Sequence, residues 1–320
     1  MKMNCSGWIA VVVALAGTVP AHAQQQYPSR PVRVILPFAA GSTSDSVMRY
    51  IQPQLAAELG QPVVIDNRPG AGGNLGAEVA AKSTPDGYTV LMGNVAQSVS
   101  MSLYSKLGYD LVRDFEPVTL LAAGSYIMVA HPSLPVKSVK EFIALAKKRP
   151  GDINVGTAGA TIRLAAKLFE SMAGTKMTEV QYKSSPQLIT ALVSGEAHIG
   201  FPPTSVALPQ VKSGRLRALA VTGAKRSAIA PDIPAVAETV PGYDVTAWYG
   251  LLAPTGTPNE VITRLHAAAH TALASPEVKQ RFSTTDLEPS GSTPEHFGAL
   301  MRSDVKKWAK VIKESGMRVD

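Results

Sequence analysis

Residues 32–65 read VRVILPFAAGSTSDSVMRYIQPQLAAELGQPVVI, and the hydrophobic period changes twice along them. Val32-Arg33-Val34-Ile35-Leu36 is a short β-branched run that stops at Pro37, which reads as a strand. A turn of small residues follows. Val47, Ile51, Leu55 and Leu59 then recur four apart, on one face of a helix. Gly60 ends that helix, and Val63-Val64-Ile65 reads as the next strand. Pro53 within the helix predicts a kink, at a cost of about 3 kcal/mol unless packing offsets it.

Outward from this unit the alternation continues. A helix over Leu75–Lys82, a Pro85-Asp86-Gly87 turn and a strand over Tyr88–Met92 complete a β-α-β-α-β series. Continuous apolar strands in that order predict a parallel sheet covered on both faces. A second series begins after Glu116-Pro117. Its strands are Tyr126–Ala130, Ile153–Val155, Val180–Tyr182, His198–Phe201 and Leu216–Val221, with helices over Val139–Lys148, Ile162–Met172 and Pro186–Ser194. A strand over Val245–Ala253 and helices over Pro258–Ala274 and Pro294–Glu314 close the chain. Two α/β units of similar plan predict two lobes with a cleft between them, and ligands bind such sheets beyond the carboxyl ends of the strands.

Composition narrows the function classes. The 320 residues are 45% hydrophobic and 17% charged, which describes a globular protein and neither a disordered nor a fibrous one. Lys plus Arg exceed Asp plus Glu by 31 to 24, yet the longest basic run is Lys147-Lys148-Arg149, at a predicted helix end. A nucleic-acid partner is therefore not expected. Residues 1–23 read as a secretory signal peptide: Lys2, the apolar run Trp8–Val19, and Ala21-His22-Ala23 as the cleavage site. The single cysteine, Cys5, lies inside that segment, so an exported, disulfide-free protein of the periplasm is expected.

Two strand-to-helix loops carry the chemistry. The first, Pro37-Phe38-Ala39-Ala40-Gly41-Ser42-Thr43-Ser44-Asp45, combines small residues, which let backbone approach a ligand, with the unpaired N–H groups of a helix start. The second, Val155-Gly156-Thr157-Ala158-Gly159-Ala160-Thr161, repeats the plan in the other unit. Each loop alone is read equally well as plain helix capping. The matching pair favours a shared anion site.

Catalytic motifs fail on spacing. G-x-G-x-x-G anchored at Gly70 places Leu75 where the third glycine belongs, and no phosphate-binding or nucleophile-elbow motif occurs. His266 and His270 stand four apart on a helix, but no third ligand or adjacent glutamate completes a metal site. No cofactor and no metal are expected.

Several segments together carry a resemblance. Leu36–Asp45 with Arg49, the run Asp66-Asn67-Arg68-Pro69-Gly70-Ala71-Gly72-Gly73-Asn74-Leu75-Gly76, Pro85-Asp86-Gly87-Tyr88-Thr89, Ser213–Thr222 and Leu252–Pro258 occur in order. The chain resembles the Bug-type solute-binding proteins, extracytoplasmic receptors of tripartite tricarboxylate transporters. The resemblance implies a two-lobed periplasmic-binding-protein (flytrap) α/β fold, each lobe a mostly parallel sheet covered by helices. Residues 24–122 plus 246–320 would form one lobe and 123–245 the other, with crossings near Thr119–Ser125 and Asp244–Tyr249.

It further implies a small carboxylate held by backbone donors and helix N-termini, an integral-membrane permease as partner, and a monomeric receptor that is not an enzyme. Carried over residue by residue, the site comprises Phe38, Ala39, Ala40, Gly41, Ser42, Thr43 and Asp45, then Asn94, Thr157, Ala158, Gly159, Ala160, Thr161, Arg163 and Pro202. Asp45 is expected to orient its loop, since its charge would repel an anion. The second loop is about two residues shorter than in relatives, which brings Arg163 into consideration as a forked donor or, alternatively, as a solvated helix residue. Pro202 stands where many relatives have an acidic residue, so a ligand ammonium would lack a counter-charge. Two rivals keep the same features: a sensor feeding a signalling partner, and an exported enzyme acting on a carboxylate through Thr43, Asp45 or Thr157.

Overall fold

In a computed structural model, which describes residues 27–316 apart from 228–229, 284 and 286, β1 (Val32–Leu36) is flanked in parallel by β2 (Val63–Asn67) and β3 (Thr89–Asn94). The signal-peptide reading and Cys5 fall outside the described residues. Between the strands run α1 (Thr43–Leu59) and α2 (Asn74–Ala81), and α3 (Val95–Leu103) follows β3. The expected kink at Pro53 does not break α1. Val47, Met48, Ile51, Leu55 and Leu59 are all buried on its inner face, and at about 1.5–3 kcal/mol each that burial outweighs the proline.

From α3 the chain enters β4 (Phe115–Ser125) and passes directly into β5 (Ile127–Ala130), which belongs to a second sheet. There α4 (Val139–Lys148), β6 (Asn154–Ala158), α5 (Gly159–Ala173), β7 (Thr178–Tyr182), α6 (Ser185–Ser194), β8 (Ile199–Gly200), α7 (Thr204–Lys212) and β9 (Arg217–Val221) follow in order. The chain returns through β10 (Thr246–Pro254), then α8 (Asn259–Ala274), α9 (Pro276–Ser283), β11 (Leu287–Pro289) and α10 (Pro294–Ser315). The sheet orders are β11-β4-β10-β3-β1-β2 and β7-β6-β8-β5-β9. This is a two-lobed flytrap fold.

Among the described residues most strands run the same way in each sheet, four of six and four of five, and every antiparallel strand pairing involves β10, β11 or β5. β10 runs antiparallel to both β3 and β4, β11 antiparallel to β4, and β5 antiparallel to β8 and β9. The reason is topological. β4 carries the chain out of the first sheet and β10 brings it back alongside, so the two must oppose. The stretch Gly156–Ala158, expected as loop, is corrected: it extends β6, held in parallel register with Gly156 opposite Val180 and Ala158 opposite Tyr182.

The core joins the lobes. Trp248 is fully buried on β10, its ring 5.3 Å from Phe297 of α10, and its Nε1 donates to the buried Asp304 carboxylate over 2.7 Å. α10 packs on α3 and β4 of one lobe and on α5 of the other. Among the described residues no helix is long and apolar enough to cross a membrane.

Candidate ligand site

The carboxyl ends of the parallel strands in both sheets point toward the crossings. Asn94, the last residue of β3, pairs with Tyr249 near the start of β10. In the other sheet the segment beyond β8 meets the start of β5, where the Ile127 amide donates to the Pro202 carbonyl over 2.9 Å. α3 and α5, which begin at these two edges, approach each other.

On the first edge, the β1–α1 loop is built around Asp45. Its buried carboxylate accepts the Gly41 amide (3.0 Å), Arg49 Nε (2.8 Å) and Asn67 Nδ2 (3.2 Å). Asn67 Nδ2 also donates to the Phe38 carbonyl over 3.0 Å, and Ser42 Oγ caps α1 by accepting the Asp45 amide. Burial works to raise the Asp45 carboxyl, but the Arg49, Gly41 and Asn67 hydrogen bonds outweigh it and hold the group below the usual carboxylate range. Asp45 therefore stands behind the loop as an anion already satisfied. Ala39, Ala40, Gly41 and Thr43 are exposed in front of it, with Phe38 and Ser42 half-buried. From the neighbouring strand Asn94 donates through Nδ2 to Ser44 Oγ over 3.0 Å.

On the second edge, β6, β7 and β8 deliver α5, α6 and α7. Their N-cap residues, Ala158, Ser184 and Pro203, make no side-chain cap. α4 and α10, by contrast, are capped by Ser138 and Thr293. First-turn N–H groups left without a side-chain acceptor attract an anion. Gly159 opens α5 at φ +72°, as Gly41 opens the other loop at φ +80°, and a Cβ at either would meet no atom within 4 Å. Each edge thus carries one exposed left-handed glycine beside a helix start, but the α1 start is capped by Ser42 and the Gly41 amide is taken by Asp45, whereas α5 has no side-chain cap. Ala160 and Thr161 are half-buried in the first turn of α5.

The side chains of Thr157 and Arg163, the latter read as either a forked donor or a solvated helix residue, are engaged within the second lobe. The Thr157 hydroxyl, in a residue only 1% exposed, donates to Glu179 Oε1 over 2.8 Å, and Arg163 Nε bonds the same carboxylate at 2.9 and 3.0 Å. Thr157 of β6 and Arg163 of α5 thus share Glu179 of β7, and Glu179 takes the charge of the arginine. Pro202 is buried and its carbonyl is bonded to Ile127, so no carboxylate stands there. Sequence reading missed Glu179 and gave Asn67 and Ser44 no place in the site, although Ser44 stands in the first loop and Asn67 in the run at 66–76. Asn67 was legible in principle: equal strands in parallel register set it opposite Leu36, at the root of the loop.

His266 and His270 stack with ring centroids 6.0 Å apart, and each directs a ring nitrogen to a carbonyl, of Ser292 and Gly291 respectively. Among the described residues no group of three potential ligands could hold a metal. A separate open groove of about 660 Å³ lies between the starts of α8 and α10, lined by Asn259, His266, Glu295 and Arg302. It sits at the opposite end of β10 from the candidate edges, and Glu116 and Glu295 on its walls oppose an anion.

A family model described as the tripartite tricarboxylate transporter family receptor matches residues 47–317. The chain belongs to that receptor family. The receptor is 31% identical to protein BugT of Bordetella pertussis, covering 99% of this chain and 100% of the relative. An Agrobacterium vitis protein from the ttuE-ttuC' intergenic region of TAR-I is 35% identical, over 98% of this chain and 93% of its own length. Among solved structures, R. palustris Rpa4515 with adipate superimposes at TM-score 0.77 with 34% identity, covering 91% of this chain and 99% of that one. MatC from Rhodopseudomonas palustris with bound malate gives 0.74 and 31%, covering 89% and 100%. These are solute-binding receptors and not enzymes, and the receptor shares their fold.

Proposed function

We propose that the receptor captures a small carboxylate in the periplasm, between a lobe formed by residues 24–122 with 246–320 and a lobe formed by residues 123–245, and delivers it to integral-membrane permease subunits. The observation that carries the reading is a pair of exposed, left-handed glycines, Gly41 and Gly159, one beside a helix start on each sheet edge. Adipate and malate in the related structures support the ligand class.

The mechanism is reversible. In the open form each lobe offers half of the donors. A carboxylate that bridges them stabilises the closed form, because only that form supplies both sets of contacts. Phe38 to Thr43, with Asn94 beside them, are the first-lobe half, and Ala158 to Thr161 the second. Asp45 keeps the first loop in shape from behind. Pro202 supplies no counter-charge, so plain carboxylates are preferred to amino acids.

Thermal unfolding of residues 24–320 against a carboxylate panel tests this reading. The panel spans monoacids, C4–C6 diacids, tricarboxylates, aromatic acids and the matching amino acids. Ligand at 100 times Kd stabilises by about 2.7 kcal/mol, which a melting curve resolves. A shift confined to one carboxylate class is expected. No shift by any member, in protein shown by native mass spectrometry to carry no retained ligand, would overturn it.

A further inference from the structure

Gln97 on α3 was not among the expected site residues, yet it bonds the β3–α3 junction and lies beside Gly73 of the β2–α2 loop, where Phe38 also reaches. Gln97 is fully buried. Its Oε1 accepts the Asn94 amide over 2.8 Å, closing a capping box in which Asn94 Oδ1 accepts the Ala96 amide. Asn94 in turn holds Ser44 in the first turn of α1. The other end of the side chain faces the remaining loops. A methyl group placed on Gly73, whose φ is +97°, would lie 2.8 Å from Gln97 Nε2 and 2.9 Å from Phe38 Cζ. Gly73 therefore leaves the space into which both reach. Gln97 Nε2 is buried with no hydrogen-bond partner, a costly arrangement for an amide donor unless its position serves something else.

We propose that Gln97 is a positioning residue for ligand capture. It fixes the β1–α1, β2–α2 and β3–α3 loops relative to one another, through Phe38, Gly73 and Asn94, and so holds the backbone of residues 38–43 where a carboxylate meets it. A buried side chain anchored at one end by the capping box and lodged at the other between two loops transmits the placement of α3 to the β1–α1 loop. Replacing it with a purely apolar side chain removes the anchor and leaves the volume. The proposal rests on the reading of that loop as half of a carboxylate site.

Gln97→Met keeps the bulk and loses the polar anchor. Gln97→Glu keeps an acceptor for the Asn94 amide. Two readouts apply: amide hydrogen exchange of residues 38–45 without ligand, and Kd for the best carboxylate of the panel. In Gln97→Met, exchange at 38–45 is expected to rise about ten-fold while exchange in β6 and α5 stays at the wild-type rate. Affinity is expected to fall about ten-fold or more. In Gln97→Glu the loop exchange returns to within about two-fold of wild type, whereas affinity stays low because a buried carboxylate now stands near the anion. Wild-type loop exchange in Gln97→Met overturns the proposal, and so does unprotected loop exchange in Gln97→Glu equal to that of Gln97→Met. If the wild type itself binds no carboxylate, the functional reading fails, and the exchange arm still decides whether Gln97 sets the loops.

Discussion

Gly41 and Gly159, on opposite sheet edges, share a left-handed backbone (φ +80° and +72°) and open space above Cα. Left-handed φ with open space also occurs at Gly60, Gly151, Gly214 and Gly316, so it is the place at the two edges that sets Gly41 and Gly159 apart. Gly151 and Gly214, for example, occupy turns away from both edges. Valine at Gly41 or Gly159 is expected to lower carboxylate affinity at least about ten-fold. The shared backbone strain costs about 1–2 kcal/mol of stability. Gly214→Val carries the same strain and is expected to keep wild-type affinity. Equal loss in all three variants, measured by calorimetric titration, would assign the effect to strain alone.

The Asp45 carboxyl is expected to titrate below about 3.9, the unperturbed value. A depressed carboxyl stabilises the fold above its unfolded pKa and loses that contribution as pH falls through its folded value. The Gly41 amide resonance should therefore hold steady from neutral pH to about pH 4 and move only below it. Carbon-detected NMR of Asp45 gives the midpoint directly. A midpoint at or above the ordinary value would mean that Arg49 and Asn67 do not hold the loop in solution.

Thr157→Val and Arg163→Met are expected to lower stability, each by about 1 kcal/mol, and to leave affinity within about two-fold. Because both bond Glu179, their effects should couple in a double-mutant cycle read by urea unfolding. Loss of binding in Arg163→Met at unchanged stability would place that guanidinium in the cleft.

Amino acids are expected to bind less tightly than the corresponding plain acids. With Pro202 buried and uncharged at the end of β8, an ammonium group finds no carboxylate there. Aspartate or glutamate matching the best unaminated diacid in Kd would contradict this.

Much of the fold was legible in local pattern. The β1-α1-β2 unit, and α4 over the full Val139–Lys148, follow from apolar period and stop signals. α3 did not, since VAQSVSMSL is short, rich in serine and β-branched residues, and held mainly by its packing on α10. The end of β6 was hidden because Gly156-Thr157-Ala158 is a strand only through pairing with β7. Strand direction in β10 depends on where the chain has travelled, which no local window contains. In the site, the part of Asp45 as the residue that orients its loop followed from the repulsion its charge would exert on an anion. Glu179 did not: Arg163 meets it only after α5 folds onto β6 and β7 pairs beside that strand.

Nitrogen-15 NMR titration of the best carboxylate, following the Gly41 and Gly159 amides in one experiment, tests capture between the lobes most directly. Both resonances should move along a single isotherm with one Kd. Movement at one glycine without the other, or movement confined to Asn259, His266 and Arg302 in the separate groove, would contradict binding between the two edges.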